Sequence, residues 1–262
     1  MDYTTFFGEI PQAASTSKGV QPKKVISNEF IKYDLNGYEG LSEIIAHRLL
    51  EQTNLAEYKH AIYYPLKVEG CKSPCFAEES EVVTLYRGLT RYYSMPLNEI
   101  IDTYLNTYDI VTFSWYDFIL DFIQIYFNYD ARDFFSLLFE FDRLILNTDR
   151  HYNNLVFVQS AQKYLPVVFD QGAAFCSDKT LFSSEDVIAD IKFALCKPFN
   201  EDFDKQVELA QSRSNIRLNF LSKEIQLCIS DIPYSENDKQ RVKKILNHQM
   251  AKYYPEVKLI WQ

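Results

Sequence analysis

Apolar residues change their spacing along this chain, and each change of period marks an element. The first ~24 residues contain QAASTSKGVQPKK, a Ser/Thr/Gly/Pro-bearing stretch without apolar period, which reads as a flexible loop. VIS and EFIKYDL follow, both of strand length. In LSEIIAHRLLEQTN, Leu41, Ile44, Ile45 and Leu49 recur at helical spacing, with Ser42 placed to cap the start. AIYYPLKVE (61–69) and EVVTLYR (81–87) are rich in β-branched and aromatic residues and predict strands, with EGCKSPCFAEE between them as a turn.

From about residue 95 the helical period dominates, in LNEIIDTYLNTY, SWYDFILDFIQIYFNY and ARDFFSLLFEFDRLIL. The second of these is apolar nearly all round and predicts the buried central helix. NLVFV and LPVVFD then predict a hairpin across QSAQK. Helical patterns resume in SSEDVIADIKFAL, EDFDKQVELAQSR, NFLSKEIQLCI and ENDKQRVKKILNHQMAKYY. The expected fold class is α+β, with a β-rich unit over residues 1–92 and a larger helical unit over 93–262.

Composition narrows the chemistry. With 27 Lys+Arg against 36 Asp+Glu the net charge is −9, which argues against non-specific nucleic-acid binding. Seven glycines in 262 residues form neither G-x-G-x-x-G nor a Walker-type loop. The N-terminus lacks the basic and apolar regions of a signal peptide, and no apolar stretch is long enough to span a membrane. The five cysteines are odd in number and read as reduced thiols, so a cytoplasmic location is expected. Cys71 and Cys75 lack a second pair at zinc-finger spacing, and His47, His60 and His248 read as ordinary helix or strand residues.

The densest polar cluster, Asn147-Thr148-Asp149-Arg150-His151-Tyr152-Asn153-Asn154, lies between an apolar helix and the hairpin. Polar groups so placed cost desolvation energy unless they bond something. Asp170 ends the second strand, and the hairpin would bring it to Asn154. Two hard oxygen ligands suit Mg²⁺, and Asp149 could accept the proton of an attacking hydroxyl. D-x-x-x-x-N followed by D-x-G is the layout of a kinase site. Upstream, Lys32 in the apolar strand is a candidate phosphate ligand, with Glu43 or Glu39 as its ion-pair partner.

In place of a glycine-rich loop stand Ser15, Thr16, Ser17, Lys18, Gly19, Val20, Gln21, Pro22 and Lys23. GVQPK together with Asp149-Arg150-His151-Tyr152-Asn153-Asn154 resembles the HipA-like serine/threonine kinases, whose motifs run S-x-x-G-x-Q-x-K and D-x-H-x-K-N. Here Asn153 stands where that family has Lys. The resemblance spans roughly residues 12–175. It implies a two-lobed protein-kinase-like fold using ATP and Mg²⁺. By it, Asp149 is the catalytic base, Asn154 and Asp170 hold Mg²⁺, and Lys32 contacts ATP phosphates. His151 lies inside the catalytic segment, and Ser17, Lys18, Gly19 and Gln21 belong to the phosphate loop. The resemblance also implies autophosphorylation in that loop, with Thr16 at the matching position and Ser15 and Ser17 beside it.

The chain begins almost at the loop, like the short stand-alone forms of the CtkA group, so a separate small antitoxin or subdomain partner is conceivable. Its protein substrate, and whether its role is toxin or effector, stay open. D-R-H-x-x-N with D-x-G is also the signature of phosphoinositide kinases, although the acidic charge disfavours a membrane-facing enzyme. A nucleotide-binding pseudokinase and a nucleotidyl transferase are further alternatives.

Overall fold

The computed structural model describes residues 23–75, 80–107 and 114–262. Ser15, Thr16, Ser17, Lys18, Gly19 and Gln21 lie outside the described residues. Strands β1 (Lys23–Ile26) and β2 (Glu29–Tyr33) form an antiparallel hairpin. Its turn residues Ser27 and Asn28 both have positive φ, the geometry whose twist suits a two-residue hairpin.

β3 (Lys59–His60) and β4 (Tyr64–Pro65) follow, then β5 (Gly70–Pro74). The first sheet has the order β1-β2-β5-β4. GCKSP was expected to be a turn, yet it is the strand that joins β2 to β4. Its β2 partners lie about forty residues upstream, and pairing across that separation overrides weak local propensity.

Helix α1 (Glu39–Leu50) lies against this sheet with Leu41, Ile44, Ile45 and Leu49 buried. Ser42 does not cap it. Ser42 sits inside the helix, buried, and its Oγ donates to the Ala174 carbonyl. The start is held instead by acidic side chains: Asp34 Oδ1 accepts from the Gly40 N–H at 2.7 Å, and Glu39 accepts from the Asn36 and Gly37 amides. Gly40 permits a close approach to β5, because a Cβ there would stand 2.7 Å from Gly70 Cα and 2.5 Å from the Tyr234 hydroxyl.

β6 (Val82–Thr84) is shorter than EVVTLYR suggests. The Thr84 side chain accepts from the Arg87 N–H and starts α2 (Leu85–Tyr93) in its place. Helices α3 (Leu97–Thr107), α4 (Trp115–Phe127) and α5 (Arg132–Ile145) follow the expected periods. The central helix is α5, not α4. Ile125 on α4 is 68% exposed, whereas α5 buries Phe134, Phe135, Phe139 and Phe141 together with Glu140 and Asp142. An apolar sequence records hydrophobicity and not which helix the others surround.

The expected hairpin is β7 (Val156–Ser160) and β8 (Lys163–Val168), within a second sheet of order β3-β8-β7-β6. Beyond it come the short helix α6 (Val187–Asp190), α7 (Phe203–Gln211), β9 (Glu224–Leu227), α8 (Glu236–Tyr253) and β10 (Lys258–Trp261). SSEDVIADIKFAL supplies only α6 and a single 3₁₀ turn. NFLSKEIQLCI was expected to be helical, but Ile225 and Leu227 alternate with exposed Glu224 and Gln226, a period of two, and β10 pairs alongside in parallel. All five cysteines are free thiols. Among the described residues no helix is long and apolar enough to cross a membrane.

Two outcomes test this account of α1. Gly40→Ala should lower stability by about 1–3 kcal/mol through overpacking against β5, read as a lower urea midpoint. Burial pushes the Asp34 carboxyl up from 3.8 to about 6, with the Tyr234 hydroxyl and the Gly40 N–H opposing. The folded state therefore binds this proton more tightly than the unfolded chain. The associated stability is present at low pH and is lost as pH rises through the folded value. Relative to wild type, Asp34→Asn should gain stability between roughly pH 4 and 7. Parallel urea midpoints across that range would remove Asp34 as the cause.

Candidate functional site

Lys32 is the one buried residue of β2, 6% exposed, and its ammonium faces two carboxylates. Its Nζ donates to Glu43 on α1 and to Asp170 Oδ1 at 2.6 Å, just beyond β8. The second Glu43 oxygen accepts the Gln171 N–H at 2.7 Å. Asp170 takes the left-handed backbone, with φ of 60°, and its N–H donates to the Tyr63 hydroxyl at 3.0 Å. The Tyr63 ring lies 5.2 Å from Lys32 Nζ. Glu39 is engaged at the start of α1, so the ion pair falls to Glu43.

Burial on its own would lower the Lys32 pKa. Asp170 and then Glu43 outweigh it and hold the ammonium well above its ordinary value. Burial pushes the Glu43 carboxyl above its ordinary value, with Lys32 opposing and Asp170 adding to the rise. One ammonium thus serves two carboxyl groups, a set with oxygen to spare for a cation or a metal–phosphate ligand.

The polar loop after α5 is built around Arg150, which is 1% exposed. Its guanidinium binds Asp142 of α5 bidentately, at 2.9 and 3.0 Å. Its Nη1 reaches the carbonyls of Phe169 (2.7 Å) and Asn154 (3.2 Å). Asn147 Nδ2 also donates to Asp142. One guanidinium thus pins the loop to α5 and to the end of β8. Val156 pairs with Val167, and extending that register sets Asn154 level with Phe169, one residue before Asp170. Asn154 Nδ2 donates to the Asp149 carbonyl at 2.7 Å, which turns its amide oxygen to another partner.

Asp149 is partly exposed and receives Lys197 Nζ at 3.0 Å. His151 Nε2 lies 3.6 Å from the other Asp149 oxygen. Of the expected residues, Lys32, Glu43 and Asp170 share one cluster, and Asp149, His151 and Asn154 share the adjoining loop. Four contributors escaped the sequence reading: Tyr63, Asp142, Arg150 in its pinning part, and Lys197. Asp142 left a signal, a carboxylate at a buried position of an apolar helix beside an Arg in a polar loop. Lys197 left none, because 48 residues separate it from Asp149.

No family model matches this chain, and no curated protein does. Among solved structures it is similar to the crystal structure of a Helicobacter pylori proinflammatory kinase, CtkA, with a TM-score of 0.51 and 13% identity over 89% of this chain and 93% of that one. At that identity the likeness speaks for the fold. The chain has a kinase-like mixed α/β fold, with sheet-rich N-terminal and helical C-terminal parts.

Arg150→Ala should cost about 3–5 kcal/mol, because it leaves Asp142 buried without its counter-charge. The double variant Asp142→Leu/Arg150→Met should recover part of that loss in urea unfolding. No recovery would mean that Arg150 acts chiefly through the two carbonyls.

Proposed function

We propose that this chain is an ATP- and Mg²⁺-dependent serine/threonine protein kinase of the HipA-like type that phosphorylates its own N-terminal Ser/Thr loop. The observation carrying the proposal is the clamp of Lys32 between Glu43 and Asp170, drawn from β2, α1 and the end of β8. A strand lysine ion-paired to a helix glutamate, beside an aspartate available for metal, is the arrangement that positions nucleotide phosphates in kinases. The kinase-like fold supports the same reading.

In this mechanism Lys32 contacts the ATP phosphates, with Glu43 holding its ammonium. The Asp170 carboxylate and the Asn154 amide oxygen form a hard-oxygen donor set that fits Mg²⁺. The metal, when bound, supplies charge neutralisation at the phosphates. Asp149 accepts the hydroxyl proton of the acceptor as its oxygen bonds the γ-phosphorus and the bond to the β-phosphate oxygen breaks, releasing ADP. Lys197 and His151 flank Asp149 from two sides and orient its carboxylate. Lys197 thereby places a cation beside the base in a loop that has Asn153 where the HipA-like motif has Lys. Ser17, Lys18, Gly19 and Gln21 are assigned to the phosphate loop, and Ser15, Thr16 and Ser17 to autophosphorylation. Its substrates are proteins, and a small partner subunit is compatible with the reading.

The test is phosphate transfer from γ-labelled ATP with Mg²⁺, followed by mass-spectrometric mapping. Label is expected on Ser15, Thr16 or Ser17. Asp149→Ala and Asp170→Ala should each lower it by about 10²-fold or more. Lys197→Met should lower kcat by about tenfold with KM nearly unchanged, the signature of a contact used in the transition state. Label appearing only on added phosphoinositide vesicles would replace the protein acceptor with a lipid. Nucleotide binding without transfer to either would make the chain a pseudokinase.

A further inference from the structure

One turn along α1 from Glu43, a second set of titratable side chains converges where the proposed phosphoryl transfer needs nothing. Donor atoms of His47, Glu51 and His60 all lie within 4.8 Å of one another, and among the described residues this is the only trio of its kind. His47 on α1 and Glu51 at its C-terminal cap stand four residues apart, and His60 comes from β3. His47 Nε2 is 3.7 Å from Glu51 Oε2, and the two imidazole rings are 5.7 Å apart between centroids. Donor atoms around a tetrahedral zinc are about 3.3 Å apart, so small side-chain rotations would close the set.

The hydrogen-bond pattern favours a ligand. Tyr58 offers His60 only a carbonyl oxygen, 2.9 Å from Nδ1. Nδ1 therefore donates, and Nε2 is the ring atom left for a ligand, the orientation second-shell carbonyls impose on metal-bound histidine. His47 is 6% exposed, and its Nδ1 is buried without a hydrogen-bond partner. A buried, unsatisfied imidazole is costly for a purely structural residue. Half-exposed Glu51 leaves a path for an ion from solvent.

We propose that His47, Glu51 and His60 form a site for a divalent transition metal, of which Zn²⁺ is the probe, joining α1 to β3 with a fourth position open to water. Two imidazoles and one carboxylate select this class over Mg²⁺. β3 pairs with β8, whose end carries Asp170, and α1 carries Glu43. An ion here would thus tie together the two elements that present carboxylates to Lys32.

The experiment is calorimetric titration of Zn²⁺ into the chelator-treated full chain, with Co²⁺ absorption as a coordination readout. Expected are one Zn²⁺ per chain, a tetrahedral Co²⁺ spectrum, no competition from millimolar Mg²⁺, and slower hydrogen exchange in α1 on binding. His60→Ala and Glu51→Gln, on more accessible positions than His47, should each weaken binding by about 10²-fold or more while circular dichroism stays unchanged. Failure to bind Zn²⁺, or binding unaffected by both substitutions, overturns the proposal. None of these readouts uses phosphate transfer, so the metal site and the kinase reading fail separately.

Discussion

A lysine ammonium enclosed by protein persists in its charged form only if carboxylates come to it, and everything near Lys32 is arranged to that end. β2 turns the side chain inward, α1 brings Glu43, and the chain leaving β8 brings Asp170. Loss of either carboxylate would leave the ammonium desolvated with too little compensation. The need to place Glu43 explains the close contact of Gly40 with Gly70. The start of α1 is held by Asp34 and Glu39 and not by a serine cap. The left-handed backbone of Asp170 is a local cost offset by its bonds to Lys32 and Tyr63.

Arg150 does for the polar loop what Lys32 does for the sheet and helix. It binds Asp142 from the central helix and two carbonyls flanking the ends of the hairpin, so loop, α5 and β8 hold one register. Asp149 is then free to present its carboxylate to solvent and to Lys197. Two buried cations, each shared among separate elements, set the geometry in which the proposed chemistry takes place.

Much of this was legible in local pattern. The β1–β2 segments, α1, the α3–α5 series, the β7–β8 hairpin, α7 and α8 all follow apolar periods. The polar run Asn147 to Asn154 and Asp170 stood out because polar residues between apolar elements are costly unless used. Local pattern does not show structure that a distant partner decides. β5 is a strand because β2 and β4 flank it, and β9 because β10 lies alongside. Residue type predicts a turn for the first and apolar pattern a helix for the second. Choosing α4 as the central helix failed for a related reason, since its exposed Ile125 is set by what packs around it.

Residue order along the chain therefore settles local periodicity and the identity of the chemical groups: a lysine on a strand, a glutamate on a helix, an Asp/Asn loop ahead of a hairpin. Those depend on side chains a few positions apart, where backbone geometry is short-ranged. Only the packed chain decides that Lys32 faces Glu43 and not Glu39, that Lys197 reaches Asp149, and that His60 meets His47 and Glu51. Such contacts, like that of Lys32 with Asp170 across 138 positions, take their geometry from how sheets and helices close on a shared core.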